Sequence, residues 1–243
     1  MFSRIALAKM IDHSLLRPEA TEEEIVKFCE ESRREHFATV VVFPCWLPAA
    51  ARSLRDCDVK LGTVIGFPFG TTSTHCKVFE AKQALAMHAS ELDMVINIGA
   101  LKSGNLDYVQ RDIEEVVTAA ALAGLTADGE EVLVKVILET GSTTREEQEK
   151  VCRIVQEVRA HFVKTSTGCG HRGATIEDIK FLRQAVGRDI GIKAAGGIRT
   201  YKQVLDFVNA GADRIGTSAG LAILAGYEKV EEPIAEREAL GKE

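Results

Sequence analysis

The chain has 243 residues, 46% hydrophobic and 27% charged, with a formal net charge of −6. That length and apolar share suffice for one large core of the size of an α/β barrel. An acidic balance with no long basic run argues against a nucleic-acid or anionic-membrane surface and points to a small-molecule partner. Residues Met1 to Met10 carry Arg4 and Lys9 and only a short apolar patch. No secretory leader or membrane span is therefore expected, and the expected compartment is the cytoplasm.

In chain order, Leu7 to Leu16 reads as a first strand ending in Ile11-Asp12-His13-Ser14. Thr21 followed by Glu24 is a capping box that opens a helix to about Glu35. Phe37 to Phe43, with three consecutive valines, has the continuous apolar run of a buried parallel strand, and Pro44 ends it. A short helix over Ala49 to Leu54 leads to a third strand, Val59 to Phe67. After a polar loop, a helix spans Lys77 to His88. Glu91 to Asn97 is the fourth strand, and Tyr108 to Ala123 a helix with Val109, Ile113, Val116 and Val117 on one stripe. Val132 to Leu138 is the fifth strand; Thr144 to Ala160, capped by Thr143 or Thr144, is the next helix.

The sixth strand carries Lys164, Ile176 to Val186 is its helix, and the seventh strand carries Lys193. Tyr201 to Ala210 follows as a helix. Asp213 to Ser218 forms the eighth strand and turn, followed by Ala219 to Leu224 and a charged helix from Val230 to Leu240. Eight short strands alternating with helices, with no repeat or low-complexity stretch, predict one (β/α)8 barrel over residues 1–243.

In such barrels the working site lies at the C-terminal ends of the strands. Three glycine-rich loops, Gly168 to Gly173, Gly196-Gly197 and Gly216-Thr217-Ser218, should meet there, and backbone N–H groups in that position suit a phosphate. Any one of these glycines could merely make a turn; three loops together favour an anion site. Four strands each carry one ionisable residue in an apolar run: Asp93, Lys135, Lys164 and Lys193. A lysine held among apolar neighbours loses affinity for its proton, and a second ammonium on the adjacent strand lowers it further. A neutral amine of that kind can form a Schiff base. Asp93 and Lys135 can pair, and a purely structural ion network is the alternative, evenly balanced for Lys135.

Other chemistries lack support. The six histidines show no metal-ligand spacing and most fall in helices or at their ends. The six cysteines contain no C-x-x-C pair; most should be core residues, with Cys169 accommodated in its loop. Ser166, Thr167 and Ser218 have no histidine base nearby in sequence and read as hydrogen-bond donors to a ligand.

Ile11 to Thr21, Val64 to Pro68, Lys77 to Ala81, Glu91 to Val95, and the segments FVKTSTG, IKAAGGIRT and RIGTSAG follow one pattern across residues 11–219. In them the chain resembles the deoxyribose-phosphate aldolase family of class I aldolases. The resemblance implies a Schiff base on Lys164, proton transfer by Lys193 and Asp93, and phosphate held by Gly168, Gly196, Gly197, Gly216 and Ser218. It also implies reversible cleavage of 2-deoxy-D-ribose 5-phosphate to glyceraldehyde 3-phosphate and acetaldehyde, no metal or organic cofactor, and a homodimer or homotetramer. An aldolase of the same family with another donor or a non-phosphorylated acceptor, and a non-catalytic phosphate-binding barrel, are the rivals.

Three departures from the pattern stand out. Phe43 occupies a position usually polar, which should alter the grip on sugar hydroxyls. Arg172, in the loop Cys169 to Gly173, should supply a phosphate contact. The tail ending Leu240-Gly241-Lys242-Glu243 lacks a terminal tyrosine that reaches the site in longer members.

Overall fold

In the computed structural model, which describes residues 3–126 and 128–227, the strands close on themselves in the order β1 to β8. They are β1 (Ile11–Leu15), β2 (Thr39–Val42), β3 (Lys60–Ile65), β4 (Glu91–Val95), β5 (Leu133–Ile137), β6 (Phe162–Lys164), β7 (Gly191–Ala195) and β8 (Arg214–Thr217). Every neighbouring pair is parallel, and β8 returns to β1 through Ile11 opposite Ile215 and Asp12 opposite Gly216. The predicted eight-stranded parallel barrel is the observed one. No helix among the described residues is long and apolar enough to cross a membrane.

Four of the helices owe their starts to threonine. Thr21, Thr144, Thr175 and Thr200 each accept a hydrogen bond from the third helical N–H, whose side chain reaches back to the cap. They open α2 (Glu22–Glu35), α7 (Arg145–Glu157), α8 (Ile176–Val186) and α9 (Tyr201–Ala210). Each such cap contributes roughly 1 kcal/mol by satisfying donors that a first turn leaves orphaned. Further helices are α1 (Arg4–Ala8), α3 (Leu47–Ser53), α4 (Thr74–Ala86), α5 (Ile98–Lys102) and α6 (Leu106–Leu122).

Two elements differ from the reading of the sequence. Leu7 lies in α1 rather than in a strand: Ser3 caps a short run rich in helix formers. Leu7 and Ala8 are fully buried at the N-terminal end of the barrel, where the Ala8 carbonyl accepts from Ala38 N–H. The turn α5, capped by Asn97, was not foreseen because five residues are too few to display a helical period. The expected terminal helix, Val230 to Leu240, and the tail lie outside the described residues.

The loops after β6 and β7 interlock. A Cβ on Gly173 would stand 2.0 Å from the Gly196 carbonyl oxygen, and Ala174 N–H donates to Ala195 at 3.1 Å. Glycine at 173 is thus demanded by close backbone approach, and it fixes two candidate binding loops against each other at the C-terminal mouth.

Candidate active site

Barrels of this size are filled by inward side chains. Here the filling near the mouth is ionic. Strand pairing sets Asp93 beside Lys135 and Lys164 beside Lys193. All four are at most 3% exposed. Asp93 is their hub: its Oδ2 accepts from Lys164 Nζ at 2.7 Å and from Lys193 Nζ at 2.7 Å, and its Oδ1 accepts from Lys135 Nζ at 3.1 Å.

Three members of this network were not anticipated. Asp12 Oδ2 faces Lys193 Nζ at 2.5 Å and Lys135 Nζ at 3.3 Å, as ion contacts outside hydrogen-bond alignment. Its Oδ1 accepts from Arg214 Nε at 2.7 Å. Glu91 accepts from Lys135 and, at 3.2 Å, from Arg214. Asp12 read as the polar end of a strand, and Glu91 and Arg214 as charges at strand starts. Only barrel closure brings β1 and β8 to β4, so no local pattern could pair them.

The charge balance singles out one amine. Asp12, Glu91 and Asp93 oppose Lys135, Lys164, Lys193 and Arg214: three carboxylates against four cations. Burial disfavours ionised Asp93, yet the three surrounding lysines outweigh it and hold its carboxyl well below the usual range. Asp12 is held down in the same way by Arg214, Lys135 and Lys193 against burial. Burial pulls Lys135 down, but Asp12, Asp93 and Glu91 reverse that and raise it. Lys164 goes the other way. Burial first, then the neighbouring Lys193 ammonium, lower it to about 8 against the attraction of Asp93. Desolvation therefore outweighs the repulsion by Lys193.

Above the network opens a cavity of about 420 Å³. Lys164 lies in its wall, together with Gly168, Gly196, Gly197, Gly216 and Ser218. The structure thus brings the expected lysines, Asp93 and the residues of the three glycine-rich loops to one place. Gly216 also provides clearance, since a Cβ there would come within 2.9 Å of Lys193 Cε. Arg17 and Arg199, which the sequence did not single out, line the same wall. Arg17 is already paired with Glu19 and Glu24 on the surface.

Three expectations need correction. Arg172 does not reach the cavity wall; it donates to Asp178 and to the Thr140 carbonyl, bracing the loop from behind. Phe43 is likewise absent from that wall and packs edge-on against Phe67 with centroids 5.9 Å apart. Thr167 spends its hydroxyl on Glu139 Oε2 at 2.6 Å rather than on a ligand, and Ser166 Oγ is buried beneath the loop. Glu139, left-handed at φ 51°, also accepts Thr167 N–H at 3.0 Å, so a buried carboxylate after β5 shapes the loop after Lys164. His13, read as part of the first strand, lies there and is buried outside the barrel wall.

Comparison with known proteins agrees with this geometry. Residues 6–226 match the model of the DeoC/LacD family aldolases. Deoxyribose-phosphate aldolase of Thermococcus gammatolerans is 52% identical over 227 residues, covering 93% of this chain and 98% of that protein. That of Streptococcus sanguinis is 51% identical over 222 residues, covering 91% and 97%. Among solved structures, the tetrameric deoxyribose phosphate aldolase of Aeropyrum pernix superposes with a TM-score of 0.85 at 31% identity, covering 94% of this chain and 93% of that one. A buried lysine of lowered pKa at the mouth of a closed barrel, and relatives that match it almost end to end, lead to one conclusion: the chain belongs to the DeoC/LacD aldolase family.

Proposed function

We propose that this chain is a class I deoxyribose-phosphate aldolase, cleaving 2-deoxy-D-ribose 5-phosphate reversibly to D-glyceraldehyde 3-phosphate and acetaldehyde, with Lys164 as nucleophile. The observation that carries this reading is Lys164 itself: a buried amine, lowered to about 8, opening onto a cavity whose other walls are glycine-rich backbone. A neutral Lys164 Nζ attacks C1 of the open-chain sugar, and loss of water gives an iminium. Removal of the C3 hydroxyl proton then breaks the C2–C3 bond, with its electron pair drawn into the iminium to give an enamine. Protonation at C2 and hydrolysis release acetaldehyde.

Asp93 was expected to carry a proton. Surrounded by three ammonium groups and held ionised, it is a poor proton carrier and a good anchor, fixing Lys164 and Lys193 on one oxygen. Lys193 is then the proton donor nearest the nucleophile, acting through water admitted by the cavity. Gly168, Gly196, Gly197, Gly216 and Ser218 receive the phosphate through backbone N–H groups. The relatives' names and the tetrameric neighbour support a phosphosugar substrate and a homo-oligomer. Dimer or tetramer is a question for light scattering.

Borohydride reduction in the presence of acetaldehyde, followed by peptide mapping, tests the mechanism. An ethyl adduct confined to Lys164 is the expected result. An unmodified Lys164, or label spread over surface lysines, would remove the Schiff base and leave a phosphate-binding barrel.

A further inference from the structure

The reaction leaves one buried imidazole unused. His13 lies between Asp12 and Ser14 on β1; alternation along the strand sends those two inward and the ring outward, toward α2. It is 2% exposed, stacked on Phe28 with centroids 3.8 Å apart at 19° and tilted against Phe37 at 4.7 Å. Its Nδ1 stands 3.0 Å from Ser32 Oγ and its Nε2 3.3 Å from the Ser218 carbonyl. Burial pushes its pKa down to about 4, so the ring is neutral and carries one proton.

Where that proton sits follows from its neighbours. The Ser218 carbonyl can only accept, so a bare Nε2 would set two lone pairs face to face. The tautomer assigned on this ground carries its proton on Nε2, and the single Ser32 hydroxyl proton is shared between the Phe28 carbonyl at 2.7 Å and Nδ1 at 3.0 Å. The ring also supports the turn after β8 from below: a Cβ on Gly220 would come within 3.1 Å of His13 Cδ2 and 2.7 Å of Phe37 Cζ. The upper side of that turn, Gly216, Thr217 and Ser218, lines the cavity, as does Phe28. Thr217 Oγ1 donates to the Ile198 carbonyl at 2.6 Å, joining the turn to the loop after β7.

We propose that His13 is a positioning residue for the phosphate end of the cavity, setting the height of the Ser218 turn through its bond to that carbonyl and its stack on Phe28. The proposal rests on the reading of the β7 and β8 loops as the phosphate site. His13 touches none of the ionic network, which lies on the other side of the barrel wall. Its loss should therefore weaken binding of the phosphorylated substrate and spare Schiff-base chemistry.

The test is steady-state kinetics on 2-deoxyribose 5-phosphate and on unphosphorylated 2-deoxyribose, with His13→Phe, which keeps the stack without the donor, and His13→Gln, whose amide nitrogen reaches the Nε2 position. His13→Phe should raise KM for the phosphorylated sugar about tenfold, the scale of one lost buried hydrogen bond. It should leave kcat/KM on 2-deoxyribose within about twofold, and His13→Gln should recover most of the loss. If His13→Phe does not fold, His13→Asn, which keeps the Ser32 partner but is too short for Ser218, gives the same split. An equal loss on both sugars, or an unchanged KM, would assign His13 to packing alone. A wild-type enzyme with no preference for the phosphorylated sugar would instead overturn the phosphate-site reading beneath it.

Discussion

In the proposed mechanism Lys164 is the nucleophile, and burial among more cations than carboxylates makes its protonation the control point of the site. With the amine at about 8, the nucleophilic form is the minority below that pH and the majority above it. Provided imine formation limits the rate, kcat/KM should rise with pH through about 8 and level off above about 9. Lys193→Leu removes the like charge that helps to lower Lys164, so the acid limb should move to higher pH, and rate should fall by roughly 10² or more as proton transfer is lost. A pH profile of the two proteins checks both. An acid limb that stays in place would mean burial alone sets the amine. The sequence showed Lys164, Lys193 and Asp93 because each breaks an apolar strand. Asp12, Glu91 and Arg214 were hidden because their partners are set by closure, not by neighbours along the chain.

Among the elements, the loops matter more than the helices. Gly216 belongs to the β8 turn and also makes room for Lys193. Gly216→Ala should therefore lower kcat by displacing that ammonium, with a loss beyond any change in KM, as measured by steady-state kinetics. Glu139→Gln leaves the Thr167 brace a weaker, neutral acceptor. It should loosen the loop between Lys164 and Gly168 and destabilise the fold by about 1–3 kcal/mol, read from a denaturation midpoint. The strands and longer helices were legible because their apolar runs and Thr-x-x-Glu caps are local signals. Glu139 was not: it reads as an ordinary polar residue ending a strand, and only the folded loop shows Thr167 above it. Arg172 misled for the opposite reason, since a cation in a glycine-rich loop looks like a phosphate ligand until Asp178 is seen to hold it.

At the scale of the molecule, the barrel interior from the strand starts at Glu91 and Arg214 up to Lys164 holds interlocked charges where many proteins place leucine and valine. A buried ion pair adds little over a well-packed apolar pair, but removing one partner strands the other and costs about 3–5 kcal/mol. Asp12→Leu and Arg214→Met should each destabilise strongly, while the double variant should lose less than the sum, as a thermodynamic cycle by urea unfolding would measure. Additive losses would show that the two charges are independently solvated.

This arrangement also bears on how such a protein can change over time. An apolar core drifts by small steps, since a leucine can become a methionine with little penalty. Here a single exchange among Asp12, Glu91, Asp93, Lys135, Lys193 and Arg214 leaves an unmatched charge, so viable routes through sequence space run through paired exchanges. The mouth of the barrel can diversify loop by loop around its substrate, whereas the ionic filling beneath it can only move in concert, and new specificities in this lineage should arise above Lys164 far more readily than below it.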